Sequence, residues 1–129
     1  VHSGITGLAE MVYNPPATGH VVLILDNGTT AMTGQQEHPG TGRTLSHDPT
    51  GKIRFEALAR AMGVQNVHVV NFGDEAGTLE ALLKGLLARS ETSLVVARQP
   101  CVLAAPKIRF YEKAAADRLH TCPVSLVED

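Results

Sequence analysis

Three short apolar runs, Val21-Val22-Leu23-Ile24-Leu25, Val67-His68-Val69-Val70-Asn71-Phe72 and Ser93 to Ala97, recur along this chain with helical patterns between them. Each run is too short for a helix, is rich in β-branched residues and ends in turn-forming residues, which reads as a strand. The continuous run at Val21 to Leu25 suits a strand buried on both faces. Before it, Val1 to Asn14 reads as a helix with Ser3 as N-cap and Ile5, Leu8, Met11 and Val12 on one face, stopped by Pro15. Lys52 to Met62 is a second helix, with Ile53, Leu58, Ala61 and Met62 facing inward and Gly63 closing it. Ala76 to Arg89 is a third, with Asp74 and Glu75 at its start and a leucine stripe at Leu79, Leu82, Leu83, Leu86 and Leu87. Alternation of this kind predicts an α/β fold: a three-layer parallel sheet with helices on both faces.

The 129 residues supply one domain and a core that removes roughly two-thirds of the unfolded chain's surface from water. Apolar residues at 43% and charged residues at 19% exclude a disordered tract, and no run approaches the ~20 apolar residues of a membrane span. A net charge of −2 and five aromatics without a basic stripe argue against nucleic acid as a partner. Cys101 and Cys122 form no CxxC pair, which favours a reducing, cytoplasmic setting. The chain opens on Val1 rather than Met, as expected of a fragment. Past Cys101 the pattern weakens, and Lys107 to Leu119 reads as an extended arm followed by a helix, with Thr121 to Asp129 as a tail.

The stretch from Asp26 to Asp48 is the anomaly. It is rich in glycine, threonine and serine and almost devoid of large apolar side chains, and long loops inside compact domains lean towards function. Because it follows a strand directly, it lies where open α/β sheets bind ligands, outside the carboxyl ends of the strands. Its donors, Asp26, Asn27, Thr29, Thr30 and Thr33, are hard oxygens, suited to Mg²⁺ or Ca²⁺ and unsuited to a thiolate zinc site. A neutral Asn beside glycine suits an ion shared with a phosphate ligand. Read alone, Asn27 could equally cap the strand end through a side-chain turn. His38, His47 and Asp48 share the loop, but their spacing matches no zinc pattern. Cys101 reads as a small hydrophobe, and Glu80 with Lys84 as a solvated helix pair.

Leu25-Asp26-Asn27-Gly28-Thr29-Thr30-Ala31-Met32-Thr33-Gly34-Gln35-Gln36, followed by His38-Pro39-Gly40-Thr41-Gly42, resembles the thiamine-diphosphate-binding domain of the indolepyruvate ferredoxin oxidoreductase alpha subunit. His2-Ser3-Gly4-Ile5, Val12-Tyr13-Asn14 and Arg98-Gln99-Pro100-Cys101 resemble it too, so the likeness covers residues 1–105 and leaves 106–129 as an arm or tail. It implies a thiamine-diphosphate fold that is N-terminally incomplete, because the family's first metal ligand, in a Gly-Asp-Gly/Ser motif, falls before Val1.

By position, the resemblance makes Asn27 (side-chain oxygen) and Thr29 (carbonyl) the Mg²⁺ ligands, with Asp26 fixing the loop. It places His2, Ser3 and Gly4 near the diphosphate at a helix start. Thr30 belongs to the same cofactor loop, and Met32, Thr33, Gly34 and Gln35 face the thiazolium and substrate. Gly28 stands where relatives are expected to carry a larger, often basic residue. The implied reaction is oxidative decarboxylation of an aryl pyruvate to an acyl-CoA, with ferredoxin as acceptor. A separate pyrimidine-binding domain or subunit then supplies the catalytic glutamate, any iron–sulfur cluster lies on another segment or partner, and the working unit is an oligomer, this chain alone being inactive. A non-oxidative thiamine-dependent decarboxylase, or a non-catalytic α/β scaffold or nucleotide-binding module, remain the alternatives.

Overall fold

A computed structural model of the chain describes residues 4–71, 73 and 77–121. Its elements run in the order α1 (Ile5–Tyr13), β1 (His20–Asp26), α2 (Phe55–Ala61), β2 (Asn66–Asn71), α3 (Thr78–Leu87), β3 (Thr92–Arg98) and α4 (Ala105–Thr121). The three strands form one parallel sheet in the order β1-β3-β2. The chain steps over the β3 position from β1 to β2 and then returns to fill it. The two connections run in opposite directions, so crossovers of the usual right hand place α2 and α3 on opposite faces, the α/β layering expected from the alternation.

The register builds the core. Val22, Leu94 and Val67 lie side by side, as do Ile24, Val96 and Val69. Leu94, Val96 and Ile24 pack with Leu8 of α1, Phe55 and Ala59 of α2, and Val64. Burying each of the larger side chains contributes roughly 1.5–3 kcal/mol. On the other face, Ser93, Val95 and Ala97 are buried, and Leu86 of α3 is buried outside the first cluster. Gly19 sits where the chain enters β1 against the end of α3: a Cβ there would lie 2.2 Å from the Arg89 carbonyl oxygen and 2.3 Å from that of Leu87.

Several sequence expectations change. Among the described residues only β3, the central strand, is buried on both faces; β1 lies at the edge of their sheet, and its Leu23 and Leu25 stay 41% and 66% exposed. Its apolar run therefore reflects an edge with one covered face. The second helix begins at Phe55 rather than Lys52, because residues before it run extended, with Ile53 N–H held by the Pro39 carbonyl at 2.9 Å and Arg54 in a β conformation. Phe55, Glu56 and Ala59 face inward, while Ile53 and Ala61 are exposed. Gly63 does close that helix, with φ +98°.

Gly4 occupies the N-cap position of α1 in place of the expected Ser3, which lies outside the described residues together with His2. Asp74, Glu75, Phe72 and residues 122–129 also lie outside them. No extended arm precedes the last helix: α4 starts at Ala105 and anchors through the buried Ala104 and Ile108. Among the described residues no helix is long and apolar enough to cross a membrane.

Candidate functional site

β1 and β3 end side by side, and Asp26 pairs in register with Arg98. Arg98 Nε donates to Asp26 Oδ2 at 2.8 Å and its Nη2 to Glu56 Oε2 at 3.3 Å, so one guanidinium bridges the strand end to α2. Burial alone would raise the Glu56 carboxyl. Its own backbone amide and the charge and hydrogen bond of Arg98 outweigh that and hold it below its ordinary range. Burial likewise disfavours the Arg98 charge, but Asp26 and then Glu56 raise its pKa further. Beyond the strands the two loops continue to adhere: the carbonyls of Asp26 and Asn27 accept from the N–H groups of Gln99 and Cys101 at 3.0 and 2.9 Å.

Asn27 then opens a side-chain turn. Its Oδ1 accepts from Thr29 N–H at 3.3 Å, while Asp26 Oδ1 accepts from Gly28 N–H at 3.2 Å. Gly28 has φ +73°, and a Cβ on it would meet Ile108 of α4 at 3.3 Å. That backbone and that neighbour account for a glycine where a larger residue was expected. Thr29 is buried and its Oγ1 donates to the Gln36 carbonyl at 3.1 Å. Thr30 and Gln36 exchange backbone bonds of 3.0 and 3.3 Å, closing residues 31–35 into a tight tip turned by Gly34 and Gln35, both at positive φ. Thr33 Oγ1 donates to Gln36 Oε1, and the Gln36 amide donates back to the Thr33 carbonyl.

A cleft of about 410 Å³ opens beside this turn. It gathers five of the expected residues, Asp26, Asn27, Thr29, Thr30 and Met32, together with His38 and Phe55. Thr33, Gly34 and Gln35 do not line it, and Met32 is 97% exposed. Gly4 lines a different, apolar cavity of about 380 Å³ beside β1. Asn27 also lines a second opening of about 350 Å³ with Gln99, Pro100 and Cys101, so this residue borders two clefts.

The remainder of the long loop is fastened by a cluster that sequence reading missed. Glu37 Oε1 accepts from Arg43 Nε and from His47 Nδ1, each at 2.9 Å, and Arg43 Nη2 reaches the Gly28 carbonyl at 3.3 Å. His47 stacks on Tyr111 of α4, with ring centres 4.7 Å apart and an interplanar angle of 13°. Burial would raise the Glu37 carboxyl, but hydrogen bonds from Arg43, Thr41 and His47 and the Arg43 charge lower it. The six- and ten-residue separations of these partners match no local motif, so only the mixture of one acid and two bases in a polar loop could have hinted at them.

The donor set decides which group the turn can hold. Asn27 Oδ1 is a hard, neutral oxygen, and the Thr29 carbonyl accepts no hydrogen bond among the described residues. Both Asp26 oxygens are engaged by Arg98 and Gly28. Two neutral oxygens fit part of an octahedral Mg²⁺ shell whose other positions come from phosphate, water and other protein groups. No cluster of three or more His, Cys, Asp or Glu suited to a metal stands among the described residues.

Fold and turn together define a parallel α/β domain with open clefts at the carboxyl ends of β1 and β3, where such sheets bind ligands. Residues 2–97 match the family profile described as "Thiamine pyrophosphate enzyme, C-terminal TPP binding domain". The chain belongs to that family. It is 41% identical over 102 residues to indolepyruvate oxidoreductase subunit IorA of Pyrococcus horikoshii, covering 79% of this chain and 15% of that protein. The IorA subunit of Archaeoglobus fulgidus is 38% identical over 112 residues, covering 87% and 18%, and that of Methanothermobacter thermautotrophicus 36% over 108, covering 84% and 17%. The chain thus spans less than a fifth of the length of these curated relatives. No solved structure matches it significantly.

Proposed function

We propose that this chain is the diphosphate-binding domain of a thiamine-dependent 2-oxo-acid oxidoreductase of the indolepyruvate type. The observation that carries the reading is the Asn27-Gly28-Thr29 turn, with one side-chain oxygen and one uncommitted carbonyl at the mouth of the cleft. The likeness to relatives named indolepyruvate oxidoreductase supports the substrate class. In this reading Asn27 Oδ1 and the Thr29 carbonyl hold Mg²⁺ on the cofactor's diphosphate. Asp26 and Arg98 keep the turn in place, and Thr30 and Met32 border the space where cofactor and substrate meet. Thiamine diphosphate, when bound, supplies the carbanion and electron-sink chemistry of 2-oxo-acid decarboxylation.

The full reaction oxidises an aryl pyruvate to CO₂ and an acyl-CoA and passes two electrons to ferredoxin. A pyrimidine-binding domain or subunit contributes the activating glutamate, and iron–sulfur centres sit on another segment or partner. The test is ferredoxin reduction by the native assembly that contains this chain, assayed with indolepyruvate and coenzyme A. The expected result is reduction that requires both compounds and added thiamine diphosphate. Decarboxylation with no electron transfer to ferredoxin would overturn the oxidoreductase reading in favour of a non-oxidative decarboxylase.

A further inference from the structure

The polar loop buries an ion pair that the diphosphate-binding reading leaves unused. The side chains of Arg43 and Glu37 are only 7% and 5% exposed. Burying such a pair adds little to stability, because desolvation offsets much of the attraction. The segment that presents Arg43 is itself closed. Arg43 bridges to Pro49, Thr50 N–H donates to the Gly42 carbonyl at 3.0 Å, and Thr44 N–H donates to that of Asp48 at 2.8 Å.

What the pair holds is one peptide of the ligand turn. Glu37 Oε1 accepts from Arg43 Nε at 2.9 Å, which fixes the guanidinium, and Arg43 Nη2 donates to the Gly28 carbonyl at 3.3 Å. At the opposite end of that same peptide, Thr29 N–H donates to Asn27 Oδ1 at 3.3 Å. The next peptide is pinned separately, by Thr30 N–H on the Gln36 carbonyl at 3.0 Å. The Gly28–Thr29 peptide is thus the link between two oxygens, Asn27 Oδ1 and the Thr29 carbonyl. Gly28, at φ +73°, imposes little steric restraint on that link. Rotation of the link would carry Thr29 N–H away from Asn27 Oδ1 and release the side chain.

We propose that Arg43 is a positioning residue for the cation: by holding the Gly28–Thr29 peptide it sets the spacing of the Asn27 and Thr29 oxygens. The proposal rests on the reading above, in which those oxygens hold Mg²⁺. Mg²⁺ demands near-octahedral geometry at about 2.0–2.1 Å, whereas Ca²⁺ accepts irregular shells at about 2.3–2.6 Å. A turn freed of Arg43 therefore loses more affinity for Mg²⁺ than for Ca²⁺. The charge of the guanidinium repels both divalent ions alike, so it cancels in the ratio.

The experiment measures, by calorimetry on the native assembly, the apparent affinity of thiamine diphosphate at equal subsaturating Mg²⁺ or Ca²⁺. Glu37→Gln is the reference background, because Arg43→Met alone would leave the buried carboxylate short of a partner. Relative to Glu37→Gln, the Glu37→Gln/Arg43→Met double variant should lose about tenfold in its Mg²⁺-over-Ca²⁺ ratio, as for one lost hydrogen bond. Arg43→Lys keeps a cation for Glu37 but lacks the fork that reaches Gly28 as well. It repeats the test without a change of charge, and its ratio should fall in the same direction. An unchanged ratio in both Arg43 variants would overturn the positioning role, whether the two affinities stay constant or fall together as a general loss of structure makes them. Failure of the wild-type assembly to bind thiamine diphosphate in a metal-dependent way would instead overturn the underlying reading.

Discussion

Removing the Arg98 guanidinium strands the charge that anchors the ligand-binding turn. In Arg98→Met the stem volume is retained, but Asp26, 8% exposed, loses its partner at 2.8 Å, and Glu56 loses one at 3.3 Å. An uncompensated buried carboxylate costs about 3–5 kcal/mol. The Arg98 side chain is itself 34% exposed, which draws the figure to the lower end, about 3 kcal/mol. With a urea dependence of about 2 kcal/mol/M, the unfolding midpoint should fall by about 1.5 M. Asp26→Asn removes the charge that needs a partner and keeps a side-chain oxygen for Gly28 N–H, so it should cost about 1 kcal/mol. The double variant should then lie within about 1 kcal/mol of Asp26→Asn alone. Urea titrations followed by far-UV circular dichroism on the four proteins close the cycle. Strictly additive losses, or an Arg98→Met midpoint within error of wild type, would show that the ion pair does not hold the turn.

Other perturbations test the rest of the architecture. Gly19→Ala drives a Cβ into two backbone carbonyls that cannot swing aside, and thermal melting should report a loss near the top of the ~1–3 kcal/mol overpacking range. Tyr111→Ala removes the ring on which His47 stacks, so limited proteolysis should cut faster between residues 43 and 50 with little change in global melting. The Glu37 and Glu56 carboxyls both titrate below their ordinary 4.5 in the folded chain. A depressed folded pKa means that the unfolded state binds the proton first as pH falls. Their contribution should therefore be complete above about pH 4.5 and disappear as pH drops through the lower folded values, a loss that Glu37→Gln should blunt in acid titrations of stability.

How far the sequence foretold this molecule depends on the range of the forces involved. Ser93 to Ala97 reads as a buried strand because five adjacent side chains all carry the signal, and β3 is indeed covered on both faces. Val21 to Leu25 carries an equally strong signal, yet nothing local distinguishes a central strand from an edge. That difference arises only when β3 inserts between β1 and β2. The loop around Asn27 was legible because turn chemistry is local: Asn, Gly and Thr at consecutive positions close their own hydrogen bonds. The bond from Arg98 to Asp26, 72 residues apart, and the stacking of His47 on Tyr111 belong to tertiary structure.

The role of the turn is most directly measured by calorimetric titration of thiamine diphosphate, with and without Mg²⁺, into the native assembly carrying either wild-type chain or Asn27→Ala. Losing the Asn27 side chain costs the fold only the 3.3 Å bond to Thr29 N–H, about 1 kcal/mol, so the variant should remain folded. The expected result is Mg²⁺-dependent binding in wild type and an affinity at least about tenfold weaker in Asn27→Ala, equivalent to ~1.4 kcal/mol. Equal Mg²⁺-dependent affinity in the two proteins would place the metal-binding oxygen elsewhere and contradict the site described here.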